Sequence, residues 1–179
     1  DIPIELSPFV VSEETDDGWV ATSTLAGSRL STPLRDTGAS IGVLTAEFLK
    51  DLAAIDLEDA VGYAVNIHLD TNEGTNVNDN WSMFNYDASR VRIRGVEATV
   101  TRNYFRWGLQ SDNYNADRIE ENRGPNSILF GIGSAGGVVN TLTKRANPSR
   151  NFRSGSVMIG SYGSRRGTLD VNQRVLAGR

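Results

Sequence analysis

The sequence contains no cysteine and a single histidine, His68. Without cysteine the chain can form no disulfide, zinc–thiolate site or iron–sulfur cluster, and it offers no thiol nucleophile. One histidine excludes metal sites built from several histidines, and a Ser-His-Asp triad would have to use His68 itself. Because His68 lies in a polar stretch, we interpret it as a solvated or hydrogen-bonded side chain. We therefore expect neither a metal nor a cofactor, and we find no arrangement of residues that would make the chain an enzyme.

Long apolar runs and an excess of positive charge are also missing. No stretch approaches the roughly 18 apolar residues of a transmembrane helix. The 179 residues carry 18 Lys and Arg against 22 Asp and Glu, a formal net charge of −4, which argues against a nucleic-acid-binding protein. Hydrophobic residues make up 39% of the chain, which is enough for a modest core.

Acidic and basic residues are separated along the chain. Residues 1–17 carry six acids and no base, whereas residues 144–179 carry eight bases and one acid. These shifts predict an acidic tail, a globular middle and a distinct C-terminal part. The tail includes one apolar patch, residues 6–11, in which Pro8 disfavours a helix interior or a central strand. The patch is either part of a disordered tail or an extended peptide that docks on the sheet edge of another protein.

The middle of the chain shows both helical and strand patterns, which predicts an α+β domain. Thr45 is placed to cap a helix over 46–54, and Asp56, with Asp59 three residues later, is placed to start a second helix through Tyr63. β-rich runs predict strands at 41–44, 91–95, 98–102, 118–123 and 137–144. Loops are expected in two polar stretches without clear periodicity, 66–89 and 103–116.

The C-terminal part has the pattern of a β-hairpin. Between 167 and 176, apolar residues such as Leu169 and Val171 alternate with polar ones, and 161–164 supplies turn residues before them. This alternation fits an ordinary half-buried strand. It also fits a strand of a transmembrane barrel, which faces lipid on one side and water on the other.

Residues 131–136 match the G-x-G-x-x-G pattern of dinucleotide-binding loops. That fingerprint needs a helix after the glycines and an acidic residue about 20 positions further on. The residues at 138–143 instead predict a strand, and 146–169 contain no Asp or Glu. A nucleotide-dependent enzyme is therefore a weak hypothesis, and we interpret the glycines as a tight corner. Glu120 and Glu121 form no catalytic pair either, because adjacent strand residues point to opposite faces.

Residues 118–131 and 136–144 together resemble part of the plug domain of TonB-dependent outer-membrane receptors. They are similar to the family's elements R-I-E, R-G-P-x-S, an aromatic residue followed by Gly, G-G-V-I-N and T-K, in the same order and spacing over 27 residues. The family usually has two apolar residues where this chain has Glu121 and Asn122, and often a proline where it has Gly38. Shorter matches occur at 33–37, 39–41, 45 and 93–95, and the resemblance covers about residues 4–179.

The resemblance implies an α+β plug fold, with a small mixed sheet, short helices and long apical loops, followed by the first antiparallel strands of a transmembrane β-barrel. It divides the chain into an acidic N-terminal tail with a TonB-box-like segment at 1–17, a plug domain at 18–146 and the first two barrel strands at 147–179. In this family the plug fills the barrel lumen in the outer membrane and the tail lies in the periplasm. Because 35 residues follow Lys144, enough for two strands of about 10 residues each, we expect the chain to be part of a longer transporter.

The implied function is to gate the energised uptake of a scarce nutrient, such as a siderophore, a glycan or another large ligand. TonB would pull the N-terminal tail, through its TonB-box-like segment, to open the plug. The expected partners are TonB, the remaining barrel, the small-molecule or glycan ligand and outer-membrane lipids, with no nucleic acid. The alternative hypothesis is a stand-alone soluble periplasmic binding module with a plug-like fold, which would not need a lipid-facing hairpin.

The resemblance also implies three groups of functional residues. The TonB-binding segment is Leu6, Ser7, Pro8, Phe9, Val10 and Val11. Ligand binding is expected at the two outward-facing apices, through Trp81, Phe84, Tyr86, Tyr104, Phe105, Arg106 and Trp107, because aromatic rings and arginine suit flat, sugar-like or anionic ligands. The plug–barrel latch is expected at Arg94 and Arg123, which would pair with barrel carboxylates, with Glu120 orienting them.

Overall fold

The structure is a computed structural model that describes residues 16–24, 26, 32–69, 91–109, 111–125, 134–148 and 150–174. The strands of these residues are β1 (Ser23–Thr24), β2 (Thr32–Pro33), β3 (Ser40–Thr45), β4 (Ile67–Leu69), β5 (Val91–Ile93), β6 (Val96–Glu97), β7 (Thr99–Arg102), β8 (Phe105–Arg106), β9 (Ala116–Arg123), β10 (Gly137–Thr143), β11 (Phe152–Ile159) and β12 (Arg165–Asn172). The helices are α1 (Ala46–Asp51) and α2 (Leu57–Val61), with 3-10 turns at Leu34–Asp36, Asn113–Asn115 and Ser161–Gly163.

A five-stranded mixed sheet is the centre of the fold, with its strands in the order β3, β9, β10, β7 and β8. The pairs β3–β9, β9–β10 and β7–β8 are antiparallel, whereas β10 and β7 are parallel. The registers place Val43, Glu120, Asn140 and Thr101 in one row across four strands. Because strand side chains alternate, this row lies on one face of the sheet and Ile119 lies on the other.

The hydrophobic core lies on the face that carries Ile119. Ile119 is buried in one cluster with Val139 of the same sheet, Leu49 of α1, Val61 of α2 and Ile93 of β5. β5 belongs to a second, three-stranded sheet with the order β4, β5 and β6. Burial of apolar surface between the large sheet, the two helices and the small sheet is therefore the main stabilisation of this part of the chain.

Both helices begin where their predicted capping residues indicate. Thr45 Oγ1 accepts a hydrogen bond from the backbone N–H of Phe48 at 3.2 Å. Asp56 Oδ1 accepts one from the backbone N–H of Asp59 at 2.9 Å. Each bond satisfies one of the N–H groups that has no partner within the first turn of a helix.

The predicted helix ends were wrong. The helix expected over 46–54 ends at Asp51, because Ala53 has a φ of 53° and a left-handed residue cannot continue a right-handed helix. The second helix ends at Val61 and does not reach Tyr63. In the described ranges, neither helix nor any 3-10 turn has the length and apolar character needed to cross a membrane.

The two stretches predicted as loops contain short strands. The stretch 66–89 begins with β4, which pairs with β5, and the stretch 103–116 contains β8, which pairs with β7. These strands are three and two residues long. A run this short shows no periodicity in the sequence, so its pairing is decided by the partner strand.

The C-terminal strands β11 and β12 form the predicted antiparallel hairpin, although β12 covers 165–172 and not 167–176. Its side chains alternate between two environments. Val157, Ile159, Leu169 and Val171 are between 52% and 81% exposed. Residues 166, 168, 170 and 172 are half-buried on the other face. The hairpin thus has an exposed apolar face and a polar face turned towards the rest of the chain.

Candidate functional site

Glu120 is a carboxylate in the middle of the five-stranded sheet, with 1% of its surface exposed. Its Oε1 accepts a hydrogen bond from Thr24 Oγ1 at 3.1 Å, and its Oε2 accepts one from the Tyr104 hydroxyl at 2.7 Å. Burial of a carboxylate is strongly unfavourable unless donors of this kind satisfy its oxygens. Glu120 therefore joins strand β1 to the turn between β7 and β8.

That turn is held against the sheet by a second buried side chain, Asn140. Asn140 Oδ1 accepts hydrogen bonds from the backbone N–H of Tyr104 at 2.8 Å and from Thr101 Oγ1 at 2.9 Å. Asn103 and Tyr104 have φ values of 50° and 67°, a conformation that residues with side chains seldom adopt. Burial, with the adjacent Glu120 carboxylate, raises the pKa of Tyr104 above its ordinary value, so the hydroxyl stays protonated and remains a donor.

Residues 16–24, which we call the N-terminal segment, are fastened to the sheet by Arg118 of β9. Arg118 Nη2 lies 2.7 Å from Asp16 Oδ2, and Arg118 Nη1 donates a hydrogen bond to the carbonyl oxygen of Ser23 at 2.9 Å. The side chains of Arg118 and Asp16 are 19% and 18% exposed, so water screens this ion pair less than a pair on the open surface.

The N-terminal segment is also attached to α1. Trp19 Nε1 donates a hydrogen bond to Asp51 Oδ2 at 2.9 Å, and its indole meets Phe48 edge-on with ring centroids 5.3 Å apart. The hydroxyl of Thr45, which caps α1, donates a 2.7 Å hydrogen bond to the carbonyl oxygen of Gly18. The segment is therefore attached to β9, to both ends of α1 and, through the pairing of β1, to β2.

Glu121 points to the face opposite Glu120, as predicted for adjacent strand residues, and forms an ion pair with Arg123. Gly42 of β3 lies directly opposite Glu121, and the carboxylate covers the position where a Cβ of residue 42 would stand. Burial raises the pKa of Glu121, although Arg123 acts in the opposite direction. A glycine at position 42 is therefore what allows a buried carboxylate at this place.

The predicted ligand-binding residues 104–107 have different surroundings. The hydroxyl of Tyr104 is directed into the sheet, whereas Phe105 is 75% exposed and Arg106 is exposed. Trp107 is half-buried beneath Arg102, whose guanidinium carbon lies 5.2 Å from the ring centroid. Phe105 and Arg106 thus face solvent, and Tyr104 anchors the turn that carries them. Trp81, Phe84, Tyr86 and the predicted TonB-binding residues 6–11 lie outside the described residues.

The three predicted latch residues lie in separate surroundings. Arg94 is exposed in the turn between β5 and β6, with a φ of 53°. Arg123 pairs with Glu121, and Glu120 accepts hydrogen bonds from Thr24 and the turn at 104. The pairing of Arg94 and Arg123 with barrel carboxylates stays a prediction.

Sequence reasoning missed the residues that join the hairpin to the rest of the chain. Arg166 Nη2 donates hydrogen bonds to both carboxylate oxygens of Asp112, at 2.6 and 2.8 Å, and this contact lowers the pKa of Asp112. Lys144 Nζ lies 2.9 Å from Asp170 Oδ2. The alternation of charged residues in β12 was the available signal, but the sequence does not say which plug residues meet them.

These contacts border an open cleft between the hairpin and the loop before β9. The cleft has a volume of about 590 Å³, and its walls include Arg102, Asn115 and Thr168. The hydroxyl of Tyr114 closes one side through a hydrogen bond to the carbonyl oxygen of Leu169. Within the described ranges, no group of three or more Asp, Glu or His side chains is arranged to hold a metal ion.

A family model described as TonB-dependent Receptor Plug Domain matches residues 33–138, more than half of the chain. The chain belongs to this family. As a plug, it is not an enzyme, and it is located in the outer membrane inside a receptor barrel. Gly136 leads directly into strand β10 and not into a phosphate-binding helix, in agreement with this assignment.

Relatives of the plug are receptors. The chain is 28% identical, over 93% of its length, to the probable TonB-dependent siderophore receptor PiuA of Acinetobacter baumannii. It is 29% identical, over 95% of its length, to the metal-pseudopaline receptor CntO of Pseudomonas aeruginosa. The crystal structure of the siderophore receptor PiuA from A. baumannii matches 80% of the chain with a TM-score of 0.68 and 26% identity.

The chain spans 22% and 24% of the length of these two curated relatives and 20% of the PiuA crystal structure. The similarity therefore concerns the plug and the residues that follow it. It supports the α+β plug fold predicted from the sequence and gives no support to a stand-alone soluble module.

Proposed function

We propose that the chain is the gate of a TonB-dependent outer-membrane receptor that takes up a ferric siderophore or a similar metal chelate. The names of the relatives support this ligand class, because they include a siderophore receptor and a metal-pseudopaline receptor. In this proposal residues 6–11 bind TonB, the exposed apices bind the ligand, and displacement of the N-terminal segment opens the plug.

The observation that carries the proposal is the way the N-terminal segment is attached. It follows residues 6–11 in sequence, and its contacts include the Asp16–Arg118 ion pair and the Thr24–Glu120 hydrogen bond. A peptide bound as an added β-strand loads several backbone hydrogen bonds together and can transmit force before it slips. Force applied to 6–11 would therefore reach the sheet first through these side-chain contacts, each of which is weaker than a strand ladder.

The turn between β7 and β8 supports the ligand-binding part of the proposal. It presents the ring of Phe105 and the cation of Arg106 to solvent, next to the Arg102–Trp107 pair. Metal chelates of this class combine flat or apolar parts with negative charge, which aromatic rings and arginines recognise. We propose that Trp81, Phe84 and Tyr86 complete the site from the other apical stretch.

The hairpin supports the proposed division of the chain into a tail at 1–17, a plug at 18–146 and the start of the wall at 147–179. Its exposed face carries Val157, Ile159, Leu169 and Val171, as expected of strands that face lipid. Its other face bonds to the plug through Arg166 and Asp170. We propose that Arg94 and Arg123 face the remainder of the barrel wall.

The proposal is tested by a backbone change in the TonB-binding segment of the full-length receptor. Val10→Pro removes a backbone donor and blocks strand pairing, whereas Val10→Thr keeps a β-branched residue there. We expect V10P to bind ferric siderophore normally but to take it up no faster than a strain without TonB, and V10T to transport normally. Full uptake by V10P would contradict the proposed function.

A further inference from the structure

We propose that Glu120 is a positioning residue that couples residues 103–107 to the N-terminal segment. Residues 103–107 comprise the turn between β7 and β8, strand β8 and Trp107, and we refer to them as the ligand-facing turn. This inference rests on the proposed function, in which the turn contacts the ligand and the segment transmits force from TonB. It assigns the coupling to one carboxylate, where the sequence had suggested that Glu120 orients latch arginines.

The geometry makes Glu120 a bridge. Its two oxygens belong to one rigid group, and they accept hydrogen bonds from Thr24 in β1 and from Tyr104 in the turn. The side chain is 1% exposed. When one donor moves away, water therefore cannot take its place unless the carboxylate also moves. A displacement of Thr24 therefore moves the Glu120 side chain and disturbs its hydrogen bond with Tyr104.

The turn is able to respond because its backbone conformation depends on these contacts. Asn103 and Tyr104 both have positive φ. Asn103 is held by hydrogen bonds with Thr141 and Thr143, whereas Tyr104 is held by its bonds to Glu120 and Asn140. Phe105 and Arg106 follow directly and face solvent. Loss of the bond from Thr24 to Glu120 should therefore loosen the part of the turn that meets the ligand.

The coupling should be reciprocal, as any equilibrium coupling between two sites must be. A change that weakens the Tyr104–Glu120 bond should loosen the N-terminal segment, just as a change at Thr24 loosens the turn. The second attachment of the segment, from Thr45 to Gly18, leads to α1 and not to the turn. Thr45→Val also removes the N-cap of α1, so this control disturbs both the segment and the start of the helix while it leaves Glu120 and its donors in place.

Hydrogen exchange of the full-length receptor, without ligand and without TonB, tests the inference. Thr24→Val removes one donor to Glu120 and Tyr104→Phe removes a second, each with little change in shape, and Thr45→Val is the matched control. We expect T24V to speed exchange across 103–107 about tenfold, because the lost bond is to a charged group. We expect Y104F to speed exchange across 16–22 by a similar factor, and T45V to speed exchange at 16–20 while 103–107 is unchanged.

The double variant and a conservative change at Glu120 test whether the coupling passes through this carboxylate. T24V/Y104F should be less than additive in the logarithm of the exchange rates, because both changes act on one carboxylate. Glu120→Gln, which keeps an acceptor for Tyr104 and a polar partner for Thr24, should retain most of the coupling. Unchanged exchange at 103–107 in T24V, or equal acceleration there in T45V, would overturn the inference. Because neither ligand nor TonB is present, this result is independent of the uptake test.

Discussion

Arg118 of β9 and Asp16 at the start of the N-terminal segment lie 2.7 Å apart across the polar face of the central sheet. The same guanidinium donates a hydrogen bond to the carbonyl oxygen of Ser23, so one side chain holds both ends of the segment. The strand that contains Arg118 is also the strand that contains Glu120. Among the described residues, the N-terminal segment is thus fastened to the central sheet through β9, to α1 through Thr45 and Asp51, and to β2 through strand β1.

Arg118→Ala should release the N-terminal segment while leaving the sheet folded. It removes a half-buried ion pair and a charged hydrogen bond, which together should stabilise the segment by about 1–3 kcal/mol. Limited proteolysis of the full-length receptor should therefore cut within 16–24 much faster in R118A. Arg35→Ala is the control, because Arg35 pairs at 3.8 Å with Asp36 on the exposed surface. Equal resistance of R118A and wild type to proteolysis would contradict the assigned role of Arg118.

Gly42→Ala should destabilise the plug by about 1–3 kcal/mol, the usual effect of overpacking. The added methyl group would overlap the carboxylate of Glu121, which is buried and has little space to move. Gly38→Ala is the control, since a Cβ there meets no atom within 4 Å and should be neutral or slightly stabilising. Thermal unfolding measures both changes, and equal melting temperatures for G42A and G38A would show that Glu121 does not occupy this position.

Glu121 should make plug stability depend on pH. Burial raises its folded-state pKa above the ordinary 4.5, so its contribution is full below the unfolded-state pKa and is lost as pH rises through the folded-state pKa. The stability of wild type relative to Glu121→Gln should therefore fall as the pH rises above 4.5. Urea denaturation of both proteins over this range measures the difference. A difference that grows with pH would mean that Arg123 dominates over burial.

Arg166→Gln should expose the carboxylate of Asp112 at the contact between hairpin and plug. Because this ion pair is partly exposed, the effect should be modest, and labelling of Asp112 in carboxyl footprinting should rise by at most about fivefold. Asp36, far from the hairpin in sequence and already exposed, serves as the internal reference. Unchanged labelling of Asp112 relative to Asp36 would mean that Arg166 does not hold it in solution.

The starts of the helices could be predicted from the sequence because they depend on local chemistry. Thr45 and Asp56 satisfy N–H groups three residues away, and no distant residue is needed for that. The helix ends could not be predicted, because Ala53 takes a left-handed conformation that glycine or asparagine usually provides at the end of a helix. The strands at 116–123 and 137–143 were recognisable because they are long enough to show a pattern.

The candidate site was less accessible to sequence reasoning. The pattern identified Glu120 and Glu121 as residues on opposite faces, and the structure agrees. It could not show that Tyr104 turns inwards to Glu120, since that contact depends on two residues with positive φ. The Asp112–Arg166 contact joins residues from two separate elements, so only the folded chain reveals it.

Uptake by a receptor whose first strand is locked in place tests the central claim most directly. Thr24 and Thr32 are opposite each other in the antiparallel pair β1–β2, a separation suited to a disulfide, and the chain has no other cysteine. With Thr24→Cys and Thr32→Cys combined, we expect the oxidised receptor to bind ferric siderophore but not to transport it. Reduction should restore transport to the rate of the Thr24→Val receptor, because Thr24→Cys also removes the hydroxyl that donates to Glu120. Equal uptake by the oxidised and reduced forms, with the disulfide verified by mass spectrometry, would contradict a gate that opens by displacement of the N-terminal segment.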